Sequence, residues 1–215
     1  MGQYYRAVCL DKEEYVSPYD YGSGAKLMEH SWLRNDFVNA VVSLLFTGGR
    51  WCKTRFVWTG DYSEQKHFVK KTTTRDYAKY YAEKEPEYAV KYPENLKPNL
   101  YDLCMDEHDF EKPPYFRKFF APVIPAIPDS PTRKTFHFIV NHTKKEYVNI
   151  YVCPKDGDGW IIHPLPLLTC DSFDGGGSHD KDANRYCGVW TGDVIEVVSE
   201  RPSKDFTEIH PDFIE

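Results

Sequence analysis

The residues whose types and spacing best suit chemistry sit in one short stretch, Asp171 to Asp182, which reads DSFDGGGSHDKD. Gly175, Gly176 and Gly177 let backbone amides approach a ligand closely, and carboxylates and a histidine crowd the same span. Such a loop can cradle an anion, with Gly175, Gly176, Gly177, Ser178, His179, Asp182 and Arg185 as the binding set. It can also hold a hard cation through Asp174, Asp180 and Asp182. It lacks the Lys-Ser/Thr of a phosphate loop and the spacing of a calcium loop, and a plain solvent loop has the same composition.

A second set suits proton transfer. Glu29-His30-Ser31 places a histidine between an acid and a hydroxyl, a base if the fold brings Asp61 or Asp193 beside it. A hydrolase or transferase built this way would use Glu29, His30, Asp61, His163, His179 and Asp193, and requires Asp61, His163, His179 and Asp193 to converge on one pocket. The plainer alternative gives Ser31 or Asn35 to helix-terminal amides and packs His30 near Trp32. Cys153, His163, Cys170, His179 and Cys187 also fall in one stretch, but without the close ligand pairs of structural zinc sites. No metal and no cofactor is expected.

Asp61 and Asp193 belong to an exact repeat. Val57-Trp58-Thr59-Gly60-Asp61 recurs at Val189-Trp190-Thr191-Gly192-Asp193, each copy after a glycine cluster. With only 5 Trp in the chain, a repeat using two of them reads as two strand-turn units of similar design. Gly-Asp then marks the turn, and a symmetric pair of carboxylates at one cleft is the chemical alternative.

These residues need elements to position them. Tyr4–Leu10 and Glu14–Val16 read as strands, and Phe37, Val41, Leu44 and Leu45 recur at helical spacing behind Asn35 or Asp36 as cap. Gly48-Gly49 is expected to end that helix, and Trp51–Thr59 to follow as a strand. Between 63 and 131 a short helix is predicted over Arg75–Glu83, with Tyr77, Tyr80 and Tyr81 on its surface. Prolines from Pro86 to Pro131 then predict an irregular insertion or lid. In the last third Phe136–Asn141 and Glu146–Cys153 form a hairpin, Trp160–His163 a strand, and Pro164 and Pro166 hold the next leucines extended. Cys187–Ser199 is a further strand, and the polar tail from Arg201 is expected to fray. The expected fold is α+β: one domain over 1–215, a mixed or antiparallel sheet, and one principal helix packed on it.

Composition narrows the function classes. Hydrophobic residues at 41% and charged residues at 28% describe a globular chain, and a net charge of −6 opposes holding nucleic acid through its phosphates. The basic stretch KHFVKKTTTR reads as a solvated face. The 16 Tyr and 13 Phe predict strands and half-buried faces, or an aromatic binding surface. No apolar run reaches membrane-spanning length, and the six scattered cysteines read as buried thiols, which together predict a cytoplasmic protein.

MGQYYRAV at the start, KLMEHSW at 26–32, VNHTKKEYV at 140–148 and HPLPLLTC at 163–170, with the glycine loop after it, resemble a family of uncharacterised small proteins encoded by bacteria, phages and plasmids. The resemblance implies a bacterial or phage setting and no activity. Taken together, the expectation is a binding protein that grips a small polar ligand or a partner protein, as an accessory factor of a mobile element. A hydrolase or transferase using the Asp/His/Gly loop is the alternative.

Overall fold

The computed structural model describes residues 3–63, 68–93, 97–104, 119–155, 158–172 and 185–213. Eight strands make one mixed sheet: β1 (Tyr5–Cys9), β2 (Glu14–Val16), β3 (Thr54–Gly60), β4 (Ala121–Pro122), β5 (Phe138–Asn141), β6 (Glu146–Asn149), β7 (Val194–Val198) and β8 (Thr207–Glu208). Their order is β4-β2-β1-β3-β7-β5-β6-β8. The outer pairs β2–β4 and β6–β8 are parallel and the other neighbours antiparallel. Seven α-helices accompany the sheet among the described residues: α1 (Leu27–His30), α2 (Asp36–Leu45), α3 (Lys71–Lys84), α4 (Pro86–Lys91), α5 (Leu100–Leu103), α6 (Ser130–Arg133) and α7 (Pro164–Thr169).

The period-two alternation of β1 and β3 serves two cores. Tyr5, Ala7, Cys9, Phe56 and Trp58 point into one cluster with Phe37, Val38, Val41 and Leu45 of α2 and Leu165, Leu167 and Leu168 of α7. Val8, Leu10 and Val57 point the other way, against Tyr77, Tyr81, Ala89, Leu100, Leu103 and Phe120. Tyr77 and Tyr81 are therefore core residues of α3, not the surface rings that the sequence predicts. Cys9, Cys104, Cys153 and Cys170 are buried thiols.

Proline misleads in two places, for one reason. In the 63–131 segment Pro86 opens α4 and Pro131 stands second in α6; in the first helical turn the missing N–H has no intrahelical acceptor to lose. Among the described residues α3 contains the helix expected over Arg75–Glu83, and three short helices, α4, α5 and α6, follow where an irregular course was expected. Pro164 likewise begins α7, so Leu165, Leu167 and Leu168 are helical and buried instead of extended. Trp160–His163 contributes only isolated bridges, Ile162 to Trp32 and Ile161 to Lys155. At the end of α2 the chain turns extended at Phe46, which bridges Val197, and Gly48 sits in the following turn at φ +82°. The tail does not fray: β8 pairs with β6, and Phe213 is fully buried.

The repeated pentapeptide adopts two conformations. Val57–Gly60 lies in β3, whereas Val189–Gly192 forms turns before β7. Gly60 is required by contact, since a β-carbon there would run into Gln3 and Ser172; Gly192 is required by its backbone, at φ +77°. Trp58 donates from Nε1 to His30 Nε2 at 2.8 Å, and Trp190 donates to Glu146 Oε2 at 2.7 Å. Tertiary partners decide the structure here. Substituting Gly192 with Ala is expected to cost about 1–2 kcal/mol through the left-handed backbone, read as a lower urea midpoint.

Candidate functional site

Among the described residues, the candidates read from the sequence are not gathered at one place. Asp61 follows β3 and accepts from Tyr4 N at 3.0 Å; partial burial lifts its carboxyl above the usual range. Asp193 sits beside the other end of β3, where its carbonyl accepts from Phe56 N and its carboxylate accepts from Asn141 Nδ2 at 2.8 Å. Five residues of strand separate the two pairing positions, about 16 Å at the usual rise. Glu29 accepts from Lys26 N at 3.1 Å; burial raises its carboxyl, and the Lys26 contacts outweigh this and leave it below the ordinary value.

His30 is committed on both ring nitrogens. Nε2 accepts from Trp58, so Nδ1 carries the hydrogen and donates to Gly24 O at 2.9 Å. Burial depresses its pKa to about 4. Of the glycine-loop set, Gly175, Gly176, Gly177, Ser178, His179 and Asp182 lie outside the described residues. Arg185 lies over the ring of Tyr186 at 5.0 Å. Just before the loop, Asp171 accepts from Gly60 N at 2.9 Å and Thr59 Oγ1 at 2.7 Å, and burial nevertheless raises its pKa. Among the described residues no group of three His, Cys, Asp or Glu is placed to hold a metal ion.

His163 has a different setting, because it lines a cleft of about 530 Å³. The cleft is assembled from five short pieces. Leu33 and Arg34 lead into α2, tied by Leu33 N to Ile161 O at 3.1 Å. Asn35 caps α2 through Val38 N at 3.1 Å and so sets Asn39 on the face turned to the cleft. Asp129 caps α6 through Thr132 N at 2.8 Å, presenting Ser130 and Arg133, with Lys134 and Phe136 following. Ile150 and Tyr151 stand on the 3-10 turn after β6, where Asn149 Oδ1 accepts from Tyr151 N at 3.0 Å. His163 closes the inner wall, held by its own N to Ser31 O at 2.9 Å.

The polar equipment of this cleft is one-sided. Arg34, Arg133 and Lys134 line it together with no carboxylate; Asp36, outside the lining, pairs with Arg133 at 3.6 Å. His163 Nδ1 accepts from Leu165 N at 3.3 Å, which puts its hydrogen on Nε2. Burial depresses its pKa to about 3, so it donates as a neutral ring. Asn39 is 4% exposed, and its Nδ2 has no hydrogen-bond partner. A buried amide left unpaired costs about 1–3 kcal/mol, a local cost to stability at this position of α2.

A second groove of about 540 Å³ lies between Phe46, His142, Glu196 and Phe206. Its central carboxylate is already satisfied: Glu196 accepts from Thr47 Oγ1 at 3.0 Å and pairs with His142 Nε2 at 2.8 Å and Lys53 at 3.5 Å. It offers a ligand less than the cationic cleft does.

The sequence reading missed Arg34, Asn39, Arg133 and Phe136. Asn39 lies between Asp36 and Ser43 at helical spacing, a pattern that reads as the solvent face of α2. Arg133 lies just beyond the proline-rich 63–131 segment, and Phe136 reads as the first residue of a hairpin strand. Comparison of the chain with family models, curated proteins and solved structures gave no match.

Proposed function

We propose that the protein binds a small anionic ligand with an apolar body in the cleft between α2, α6 and α7. The observation that carries this reading is the chemistry of the lining: three cations and no carboxylate, in a chain of net charge −6. Positive charge concentrated in a cleft with apolar walls of Leu33, Phe136, Ile150 and Ile161 focuses potential on a ligand of opposite sign. The volume lies in the range of small-molecule sites. In this reading the protein is a binder, and a mobile-element accessory factor is the setting that the resemblance of its sequence phrases implies. No helix among the described residues is long and apolar enough to cross a membrane.

Phenyl phosphate and benzyl alcohol, which share a ring and differ in charge, test this by calorimetric titration. Phenyl phosphate is expected to bind and benzyl alcohol not, with affinity falling as salt rises. A double variant Arg133→Ala, Lys134→Ala is expected to weaken phenyl phosphate about tenfold, the equivalent of about 1.4 kcal/mol. Both side chains are solvent-facing enough that the fold should survive their loss. Equal binding of the two probes, or an unchanged affinity in the double variant, would overturn the reading.

A further inference from the structure

Two of the six cysteines meet, away from the cationic cleft. Cys170 follows α7 and Cys187 stands in the turns that lead to β7, and their side chains lie in hydrogen-bond contact. The backbones hold this meeting independently of the sulfurs. Gly188 N donates to Leu167 O at 2.8 Å, and Cys170 Sγ donates to the same oxygen at 3.0 Å. Trp190 N donates to Leu168 O at 2.7 Å, and Thr191 Oγ1 donates to Cys170 O at 2.6 Å. Next to Cys170, Asp171 N donates to Trp58 O at 3.1 Å and fixes the chain on β3. A disulfide demands close backbones and converging side chains; the lacing supplies the first and the thiol contact the second. Three other thiols face oxygen instead: Cys9 donates to Thr54 Oγ1 at 3.3 Å, Cys52 to Glu196 Oε1 at 3.4 Å and Cys153 to Asn149 O at 3.5 Å.

We infer that Cys170 and Cys187 form an oxidisable dithiol, a modification site whose co-reactant is hydrogen peroxide. The product is a disulfide that ties the turns before β7 to the end of α7. Exposure assigns the roles. Cys187 is half-buried and Cys170 fully buried, so Cys187 meets the oxidant first. Burial, with Cys187 and Asp171 beside it, pushes the Cys170 thiol well above the ordinary range and keeps it protonated until its partner has reacted. In the first step the Cys187 sulfur attacks a peroxide oxygen. An S–O bond forms, the O–O bond breaks, and the departing hydroxide takes the thiol proton to become water. In the second step the Cys170 sulfur attacks the Cys187 sulfenic acid. The S–S bond forms, the S–O bond breaks, and hydroxide leaves with the Cys170 proton as a second water. Two thiols are oxidised and one peroxide is reduced.

The full chain, reduced with dithiothreitol and then freed of it, tests this on treatment with hydrogen peroxide. Non-reducing peptide mass spectrometry locates any cross-link, and maleimide counts the thiols after unfolding. A Cys170–Cys187 cross-link and the loss of two thiols are expected, both reversed by dithiothreitol. Cys52→Ser, which removes the other half-buried thiol, is expected to leave the cross-link in place. Cys170→Ala is expected to abolish it and to raise the Cys187 sulfenic acid trapped by dimedone at least about tenfold over the parent. Cys187→Ser, at the more exposed position, is expected to abolish it as well and serves alone if Cys170→Ala fails to fold. Three results would each sink the assignment: no thiol lost in the parent, a cross-link between any other cysteines, or a Cys187 sulfenic acid as abundant in the parent as in Cys170→Ala.

Discussion

Lowering the pH from 6.5 to 4 is expected to remove roughly 6 kcal/mol of folding stability through two histidines, comparable to the whole stability of many domains. His30 and His163 are 0% and 2% exposed, and burial brings their pKa values from 6.5 down to about 4 and about 3. Over most of that window both stay neutral in the folded chain and become protonated in the unfolded one, and His30 begins to protonate in the folded chain only near its lower end. The unfolded state binds more protons, so stability rises with pH and is lost on acidification, by about 3 kcal/mol for each ring. Asp61 and Asp171 work in the opposite sense: their folded pKa values are raised, so their contribution grows as pH falls through the carboxylate range. Urea unfolding at pH 7, 6, 5 and 4 reads the slope. The paired substitution His30→Gln, His163→Asn should flatten it between 6.5 and 4 whatever it does to stability at pH 7. A wild-type slope under about 1 kcal/mol per pH unit would show that these rings are not held neutral.

Truncating Trp58 to alanine is expected to cost at least about 4 kcal/mol, near the upper end for a single core substitution. Its ring is fully buried, with Phe37 at 5.0 Å and Phe56 at 5.9 Å between centroids. Its indole N–H is the donor that His30 Nε2 accepts, so the variant leaves both a cavity and an unpaired ring nitrogen. Trp58→Phe keeps most of the packing and loses the hydrogen bond, for an expected loss of about 1–3 kcal/mol. Trp160→Ala, at a residue 59% exposed, should stay within about 1 kcal/mol of the parent. Chemical denaturation followed by far-ultraviolet circular dichroism measures all three. A Trp58→Ala loss below about 2 kcal/mol would mean that the ring does not anchor the core.

Periodic segments were legible in the sequence, and sites made by tertiary approach were not. The strand Glu14–Val16 and the helix behind Asn35 follow from alternation, spacing and capping, which are local properties. The hairpin strands Phe138–Asn141 and Glu146–Asn149 follow from the same signals, although Ile150–Val152 curls into a 3-10 turn. Proline was overread, because the same residue that breaks a helix interior opens a helix at its first turn, as at Pro86 and Pro164. The repeat was overread for a deeper reason: five residues do not contain the contacts that choose between β3 and the turns before β7. Asn39 could not have been singled out, since only the arrival of α6 and the 3-10 turn after β6 makes a polar helix position into the wall of a cleft.

The ladder joining β3 to β7 has only two residue pairs, Thr54 with Ile195 and Arg55 with Val194, whereas β1 and β3 share five. On one side of that seam the strands come from residues 5–60 with β4 added, and on the other from residues 138–208. A nascent chain can therefore pair β1, β2 and β3 from neighbouring sequence while the second half is still being made, whereas the seam and the docking of α7 on these strands wait for distant partners. The two halves of the sheet then meet at Phe56, where the second VWTGD copy docks through Gly192 and Asp193.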